Sequence, residues 1–558
     1  MLDVIQQYYP WRLFAAEWMR QDVLPLWNPH MFAGTSFVAN GQSAIFYPLN
    51  VLFYLMPVKF AFGWTAILHL ALIGVGTFGF LRCILRDRVA AVVGATTFMF
   101  CGFISAWLEF TTFLCTATWL PTTLYFFERS LPRRENAALL FRFYSGMALT
   151  GIALGMSLLA GHLQIGFYVW LTFFAYALFR LSSFALAARR REWGSAASVS
   201  WLIGGVALAM AIGLAIGAPQ WLPVVELTRF NTRAGEFDLK SIWGARLPLK
   251  HLLTFLVPNF FGNPVDYNYW GSFNYIELSG SIGVAALVLW IPALVKLLPG
   301  EGAYCGQVVF WLVLLLLGLS LAMLTPVYYL FVWCIPGFGQ LRGPARALLI
   351  IDFAGAVLAA HGVEALLTEM KGETRRVLSR SILFIAGLGT ALVLAGVLCL
   401  SQEFLSDYFF AYGMRQLVLF AVFLMAAVAL VQWSLGKVGR RPLPVYLLPL
   451  LVATESFVAN FRFNPQLDAR SVYFPTDAHR FLQKDRSLFR VLSIGENFIN
   501  WLPSNAPMAL GLEDIQGSDS LWTAAYANYL SDIQPGAPTY AWKNYRSPRL
   551  DDLNVKYV

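Results

Sequence analysis

Ser381-Ile-Leu-Phe-Ile-Ala-Gly-Leu-Gly-Thr-Ala-Leu-Val-Leu-Ala-Gly-Val-Leu-Cys-Leu400 is a run of twenty residues without a charge. A helix of about twenty apolar residues matches the hydrocarbon thickness of a bilayer. Runs of this kind recur along the chain, and reading them at that length predicts twelve spans. They lie at roughly 60–81, 89–107, 111–128, 143–160, 164–186, 198–217, 278–298, 307–325, 345–367, 381–400, 415–435 and 443–460. The whole composition agrees. Of 558 residues, 58% are apolar, 16% aromatic and only 13% charged, whereas a globular domain carries about 25% charge. A disordered chain is excluded by the aromatic content, and a soluble multidomain enzyme by the shortage of polar surface. The fold class expected is an α-helical polytopic membrane protein.

The flanks of the runs carry a second signal. Lys371, Arg375, Arg376 and Arg380 precede the quoted run, and no Lys or Arg follows it before Arg415. The same alternation holds along the chain. Arg82, Arg86 and Arg88 follow the first span, Arg129, Arg133 and Arg134 the third, and Arg189, Arg190 and Arg191 the fifth. Lys437, Arg440 and Arg441 follow the eleventh, while the connection after the seventh is weaker, with Lys296. The net charge of +9 therefore reads as a positive-inside signal rather than a nucleic-acid surface. Six cysteines show no CxxC or zinc spacing, so they indicate neither a disulfide framework nor a metal site.

This alternation predicts that residues 1–58, 218–277, 326–344 and 461–558 lie outside the cell. The expected organisation is an outer loop with interfacial helices (1–58), a transmembrane domain (59–460) with outer loops 218–277 and 326–344, and a mixed α/β outer segment (461–558). Trp11, Phe14, Ala15 and Trp18 recur at helical spacing, which predicts an amphipathic helix over 11–21 lying on the membrane. Pro25-Leu-Trp-Asn-Pro29 breaks it. A short helix is expected at 248–257 behind Pro248, and the apolar loop after Pro326 dips back toward the membrane. Thr476 to Lys484 reads as a capped helix, Phe489 to Ile494 as a strand, and Asp551 to Val558 as the start of another. Met1 falls outside with no signal peptide before it, so a first span is expected to be missing, and the chain reads as a piece cut at both ends.

Several outer motifs carry a resemblance as an ordered set. They are Asp3-Val-Ile-Gln-Gln-Tyr-Tyr-Pro10, Leu26-Trp-Asn-Pro29 with Gly34 and Phe46-Tyr-Pro48, and Ala160-Gly-His-Leu-Gln164 with Phe167-Tyr168. Gln220-Trp-Leu-Pro223 with Glu226, Leu341-Arg-Gly-Pro-Ala-Arg346 and Leu553-Asn-Val-Lys-Tyr-Val558 follow in the same order. The set resembles the bacterial YfhO family, which is itself similar to the GT-C glycosyltransferases. The resemblance implies a GT-C-like fold in the bacterial cell membrane. It also implies transfer of a sugar from a polyprenyl-phosphate donor to a cell-envelope acceptor, on the outer face. In GT-C enzymes the first outer loop carries a catalytic acid, and Asp3 matches that position.

The residues themselves support such chemistry. A carboxylate can take the proton of an attacking hydroxyl, which makes Asp3 the candidate base; its plain alternative is a solvated terminal residue or a helix cap. Glu109, in a connection with no other charge, is a candidate to assist Asp3 or to hold a divalent cation. Arg342 and Arg346 flank Gly343-Pro344, and at i, i+4 spacing a helix would point both the same way. Their planar forks suit phosphate, against a bland role as headgroup anchors; Arg246 and Lys250 are weaker alternatives. His162 and Gln164 are candidate cavity-lining groups, the plain alternative being a neutral histidine hydrogen-bonded to backbone. Glu226 in the large loop is a substrate-binding candidate, weighed like Glu109 against an ordinary interfacial carboxylate. Asn28, His30 and Gln42 are candidates to hydrogen-bond a sugar and Trp27 to stack on one, the alternative being loop structure. No P-loop, GxGxxG, GxSxG or HExxH motif occurs, so ATP-driven transport, dinucleotide redox, serine hydrolysis and zinc proteolysis lack motif support. A transporter or flippase for a lipid-linked substrate, and a non-catalytic envelope assembly protein, stand as the competing readings.

Overall fold

The computed structural model describes the chain apart from residues 1–2, 132–137, 190–195, 233–238, 298–301, 369–371, 404–406, 436–442, 467, 469–471, 474–475, 495–501, 532 and 534–545. The basic residues Arg133, Arg134, Arg190, Arg191, Lys371, Lys437, Arg440 and Arg441 lie outside the described residues. The protein is helical, with eight described helices long and apolar enough to cross a membrane: 58–84, 88–106, 163–187, 199–230, 304–322, 344–367, 372–401 and 407–435. It is a multi-pass membrane protein.

Of the four other expected spans, 143–160 is one continuous helix and the other three are short or interrupted. Residues 111–128 form two pieces, Thr111–Ala117 and Trp119–Ser130, and 143–160 lies in the helix Ala138–Leu159. Residues 278–298 break into Val284–Val288 and Trp290–Val295, and 443–460 reduces to Leu448–Ala459 behind a short 3-10 turn. Breaks expose backbone N–H groups that hydrocarbon cannot satisfy, and buried carboxylates serve them here. Glu455 accepts from the N–H groups of Val284 (2.6 Å) and Ala285 (2.9 Å). Asp352 accepts from Phe103 N–H at 3.2 Å, just past the interruption at Phe100–Cys101 in the second span.

The helix Leu348–Leu367, buried through Leu366, forms the axis of the bundle. At its far end Glu364 accepts from the N–H groups of Arg86 and Asp87 (3.1 and 2.9 Å), and Lys296 donates to Thr368 at 2.6 Å. Connections after the first, seventh and ninth expected spans therefore meet at one end. Arg346 stands at the other, about 27 Å away at 1.5 Å per residue.

Three expectations need correction. Helix 11–21 runs instead over Tyr9–Met19, continuing a π-helical turn at Val4–Tyr8, and it does not lie on a membrane surface: Trp11, Arg12, Phe14, Ala15 and Ala16 are all buried. The first loop and the C-terminal segment wrap it, with Phe37, Ile45 and Met508 in the same cluster. The loop expected from 218 begins later, because the helix Ala196–Phe230 carries through Pro219 and Pro223, with the Trp221 indole donating to the Leu214 carbonyl at 3.0 Å. The turn behind Pro248 is a 3-10 helix, Leu249–Phe255.

The C-terminal segment holds the capped helix Asp477–Lys484 and a parallel three-stranded sheet, with Arg490–Val491 between Glu513–Asp514 and Val555–Tyr557. Its Asp514 and Gln516 carbonyls accept from Ala33 and Phe32 N–H at 3.0 and 2.9 Å. That pairing seats the segment on the first loop.

Candidate active site

A polar chamber of about 270 Å³ opens at the Arg346 end of the bundle. Asp3, Gln7, Tyr8, Gln42, Trp107, His162, Asn274, Glu277, Arg346 and Ser520 line it, together with three apolar side chains. Local structure brings each one in. Asp3 precedes the π-helical turn that carries Gln7 and Tyr8, and it makes no capping hydrogen bond, so the cap alternative does not apply. Gln42 sits in a 3-10 turn held by Asn40, whose side-chain oxygen accepts from Gln42 and Ser43 N–H at 3.0 and 3.2 Å. Gly161 takes φ +97°, and a Cβ there would stand 2.5 Å from the Gly41 carbonyl. That close approach sets the first loop over His162.

Electrostatics differ sharply among these groups. Burial, and then the neighbouring Glu109 carboxylate, push the Asp3 carboxyl above the usual carboxylate range. His162 is held well below the usual imidazole range by burial and by the Arg346 charge. Its Nδ1 accepts from Ile165 N–H at 3.2 Å, so the neutral ring carries its proton on Nε2. Arg346 is clamped: its Nε reaches both Glu277 oxygens at 3.1 and 3.0 Å, Nη2 reaches Oε1 at 2.5 Å, and Nη1 donates to Gln164 Oε1 at 3.0 Å. Its guanidinium also stands over the Trp107 and Phe113 rings at 5.3 and 5.0 Å. Gln164 completes the clamp by donating to the Gly343 carbonyl at 2.9 Å.

A second chamber of about 780 Å³ adjoins the first. Phe167, Val224, Val225, Ile242, Ile335 and Phe338 supply its apolar wall, and Arg342, Arg346, Asp519 and Ser520 stand among its polar lining groups. Arg342 and Arg346 do not share a helical face. Gly343 takes φ +106° and residues Pro344–Ala347 form a 3-10 turn, so the i, i+4 argument fails although both arginines line the chamber.

Comparison with known proteins adds a loose likeness. No family model and no curated relative matches the chain. Among solved structures it is similar to ArnT from Cupriavidus metallidurans bound to undecaprenyl phosphate, at 13% identity and TM-score 0.46, over 94% of this chain and 83% of that one. It is also similar to the Archaeoglobus fulgidus oligosaccharyltransferase in the apo form, at 13% identity and TM-score 0.34, over 92% of this chain and 61% of that one.

Of the residues expected from the sequence, Asp3, Gln42, His162 and Arg346 meet in the polar chamber, and Gln164 and Arg342 line the larger one. Glu109 is near enough to Asp3 to perturb it. Among the described residues no three His, Cys, Asp or Glu side chains come together to hold a metal ion. Trp27, Asn28 and His30 line neither chamber. Trp27 pairs with Ser36 in a two-residue hairpin and lies against Gly34. The fully buried Asn28 accepts from His30 N–H at 3.0 Å, and His30 Nδ1 meets the Leu512 carbonyl at 2.9 Å. They join the first loop to the C-terminal segment, which is the loop-structure alternative. Glu226 points outward from its helix, although Val224, Val225 and Thr228 beside it line the larger chamber. Arg246 and Lys250 stack on Trp243 and Phe261 instead.

Sequence reasoning missed Glu277, Tyr8, Asn274 and Ser520. Glu277 borders the apolar run 278–298, but its connection carries many other charges, so the rule that picked out Glu109 does not reach it. Ser520 left no local signal.

Proposed function

We propose that this protein is a membrane glycosyltransferase of GT-C type, which moves a sugar from a polyprenyl-phosphate carrier to a hydroxyl acceptor of the cell envelope. One observation carries the reading: Asp3, brought from the start of the chain, shares a polar chamber with Arg346, and that chamber adjoins a larger apolar one bearing Arg342. Such a pair of chambers suits a substrate with a polar head on a lipid. The isoprenoid tail would lie in the apolar chamber, with its phosphate near the arginines and its sugar toward Asp3. The Asp3 carboxylate takes the acceptor hydroxyl proton as that oxygen bonds to the anomeric carbon. The bond from that carbon to the phosphate oxygen breaks, and polyprenyl phosphate leaves with the electron pair. Neutral His162 supplies a hydrogen-bond donor beside the site. The reading keeps the division expected from the sequence, a membrane domain at 59–460 with an active face formed by 1–58 and 461–558. It places that face outside a bacterial cell membrane.

Labelled polyprenyl-phosphate sugars offered to the detergent-solubilised protein with a crude envelope acceptor test this. Wild type should release sugar to the acceptor, and Asp3→Asn should be at least about 100-fold slower. The base must be ionised, so the rate should fall as pH drops through the raised Asp3 pKa, at a higher pH than an ordinary carboxylate would give. Equal rates in both proteins would remove Asp3 from the role, and no turnover with any donor would overturn the assignment.

A further inference from the structure

Gln42, His162, Arg346 and Ser520 line both chambers, so they form the neck between them. Two of the four are fixed. Arg346 is clamped by Glu277 and Gln164, and the His162 ring packs on Phe113 at 3.7 Å while accepting from Ile165 N–H. The other two meet across the neck, where Gln42 Nε2 donates to Ser520 Oγ at 3.0 Å.

The two ends of that bond belong to segments 478 positions apart. On one side, Gln42 Oε1 accepts from the Tyr8 hydroxyl at 2.7 Å. On the other, Ser520 belongs to a strap of the C-terminal segment that is tied down before and after it. Ser518 Oγ accepts from Gln7 at 2.7 Å, and the Asn505 side chain exchanges two hydrogen bonds with the Ser518 backbone at 2.8 and 3.0 Å. Beyond Ser520, Trp522 stacks on Phe32 at 5.9 Å and its carbonyl accepts from Thr232 N–H at 3.2 Å. The strap is tied down on both sides of Ser520, while the described bond across the neck joins two neutral side chains, the kind that exchanges readily for another partner.

We propose that the Gln42–Ser520 hydrogen bond is a latch between the chambers, which opens to pass the phosphate-bearing head of a lipid substrate from the apolar chamber to Asp3. Gln42 and Ser520 are thus positioning residues. The inference rests on the transfer reading, since it takes a lipid-linked substrate that must occupy both chambers at once.

The test is a reversible plug. Ser520→Cys is treated with methyl or benzyl methanethiosulfonate, and the unsubstituted protein treated alike controls for its six cysteines. The benzyl adduct should transfer sugar at least about tenfold more slowly than the methyl adduct, and reduction should restore the rate of the untreated variant, which excludes misfolding. A polyprenyl phosphate carrying a diazirine beside its phosphate reports passage without catalysis. In Ser520→Cys before treatment it should label peptides from both chambers, holding Asp3–Tyr8 and Ile335–Arg342. After benzylation it should label Ile335–Arg342 alone. Undiminished labelling of Asp3–Tyr8 after benzylation would overturn the latch while leaving the transfer reading standing. Labelling of both chambers that the plug divides, in a protein with no transfer, would uphold the latch against the transfer reading. A probe that labels neither chamber would overturn the latch.

Discussion

The two chambers share a neck and are built in opposite ways. The polar chamber gathers short contributions from many distant segments, among them Asp3, Gln42, His162, Glu277, Arg346 and Ser520, several of which hold one another. The larger chamber takes much of its wall from two local stretches, the helix face at Val224, Val225 and Thr228 and the loop from Ile335 to Arg342. A change in the first removes a partner from another segment. A change in the second alters a surface that is replaceable in kind. The polar chamber should therefore govern the chemical step and the apolar one the affinity for the carrier.

The largest departure should come from Glu277→Gln. It removes the charge opposite Arg346 and the paired geometry that fixes the guanidinium against Trp107 and Phe113. Small misplacements of this sort cost about 100-fold in rate, so kcat for sugar transfer should fall by about that factor while labelling by a polyprenyl-phosphate probe persists. The double variant Glu277→Gln, Arg346→Gln should lose less than the sum of the two single losses, because both changes remove the same ion pair, while Arg346→Gln also removes a charge from the phosphate. Additive losses would show that the two residues act separately and would dissolve the contrast between the chambers.

The fold was legible in the sequence because hydrocarbon imposes a length and a hydropathy on every span, and the run at 381–400 lies within the described helix Gly372–Glu403. Breaks were not legible, since the groups that satisfy them, Asp352 and Glu455, come from other helices. The site was legible in part. His162 stood out as a polar group at the end of an apolar run, Arg346 by its place beside Gly343-Pro344, Gln42 as a polar residue of the first loop, and Asp3 through the family resemblance. Ser520 lies in a loop whose position depends on the Asn505 and Gln7 contacts, which no local pattern announces. Trp27, Asn28 and His30 misled for the complementary reason: polar and aromatic residues in a long loop also serve to seat another segment, here through Met508 and Leu512.

The apolar chamber sets the next prediction. Arg342 lines it without lining the polar one, so Arg342→Gln should raise KM for the carrier lipid about tenfold, the value of one charge-assisted contact, and leave kcat within about twofold. Added salt should mimic the loss in wild type and change little in the variant. A fall in kcat as large as that of Glu277→Gln would place Arg342 in the chemical step and remove the division of labour between the chambers.

The smallest effect should come from His30→Ala and Trp27→Ala, which touch the same loop as Gln42 yet line neither chamber. His30→Ala removes the hydrogen bond to the Leu512 carbonyl and the edge contact with Phe14 at 5.6 Å. That costs the seating of the C-terminal segment about 1 kcal/mol. Trp27 is 59% exposed and mainly covers the turn at Gly34, so its loss should cost less. Sugar transfer should stay within about twofold of wild type in both, since a site that stays occupied by the folded form turns over at its own rate. Limited proteolysis should release the C-terminal segment sooner from His30→Ala than from Trp27→Ala. A tenfold loss of transfer in Trp27→Ala, with proteolysis unchanged, would mean that this indole meets the sugar directly. The first loop would then present a third surface to the substrate, beyond the two chambers.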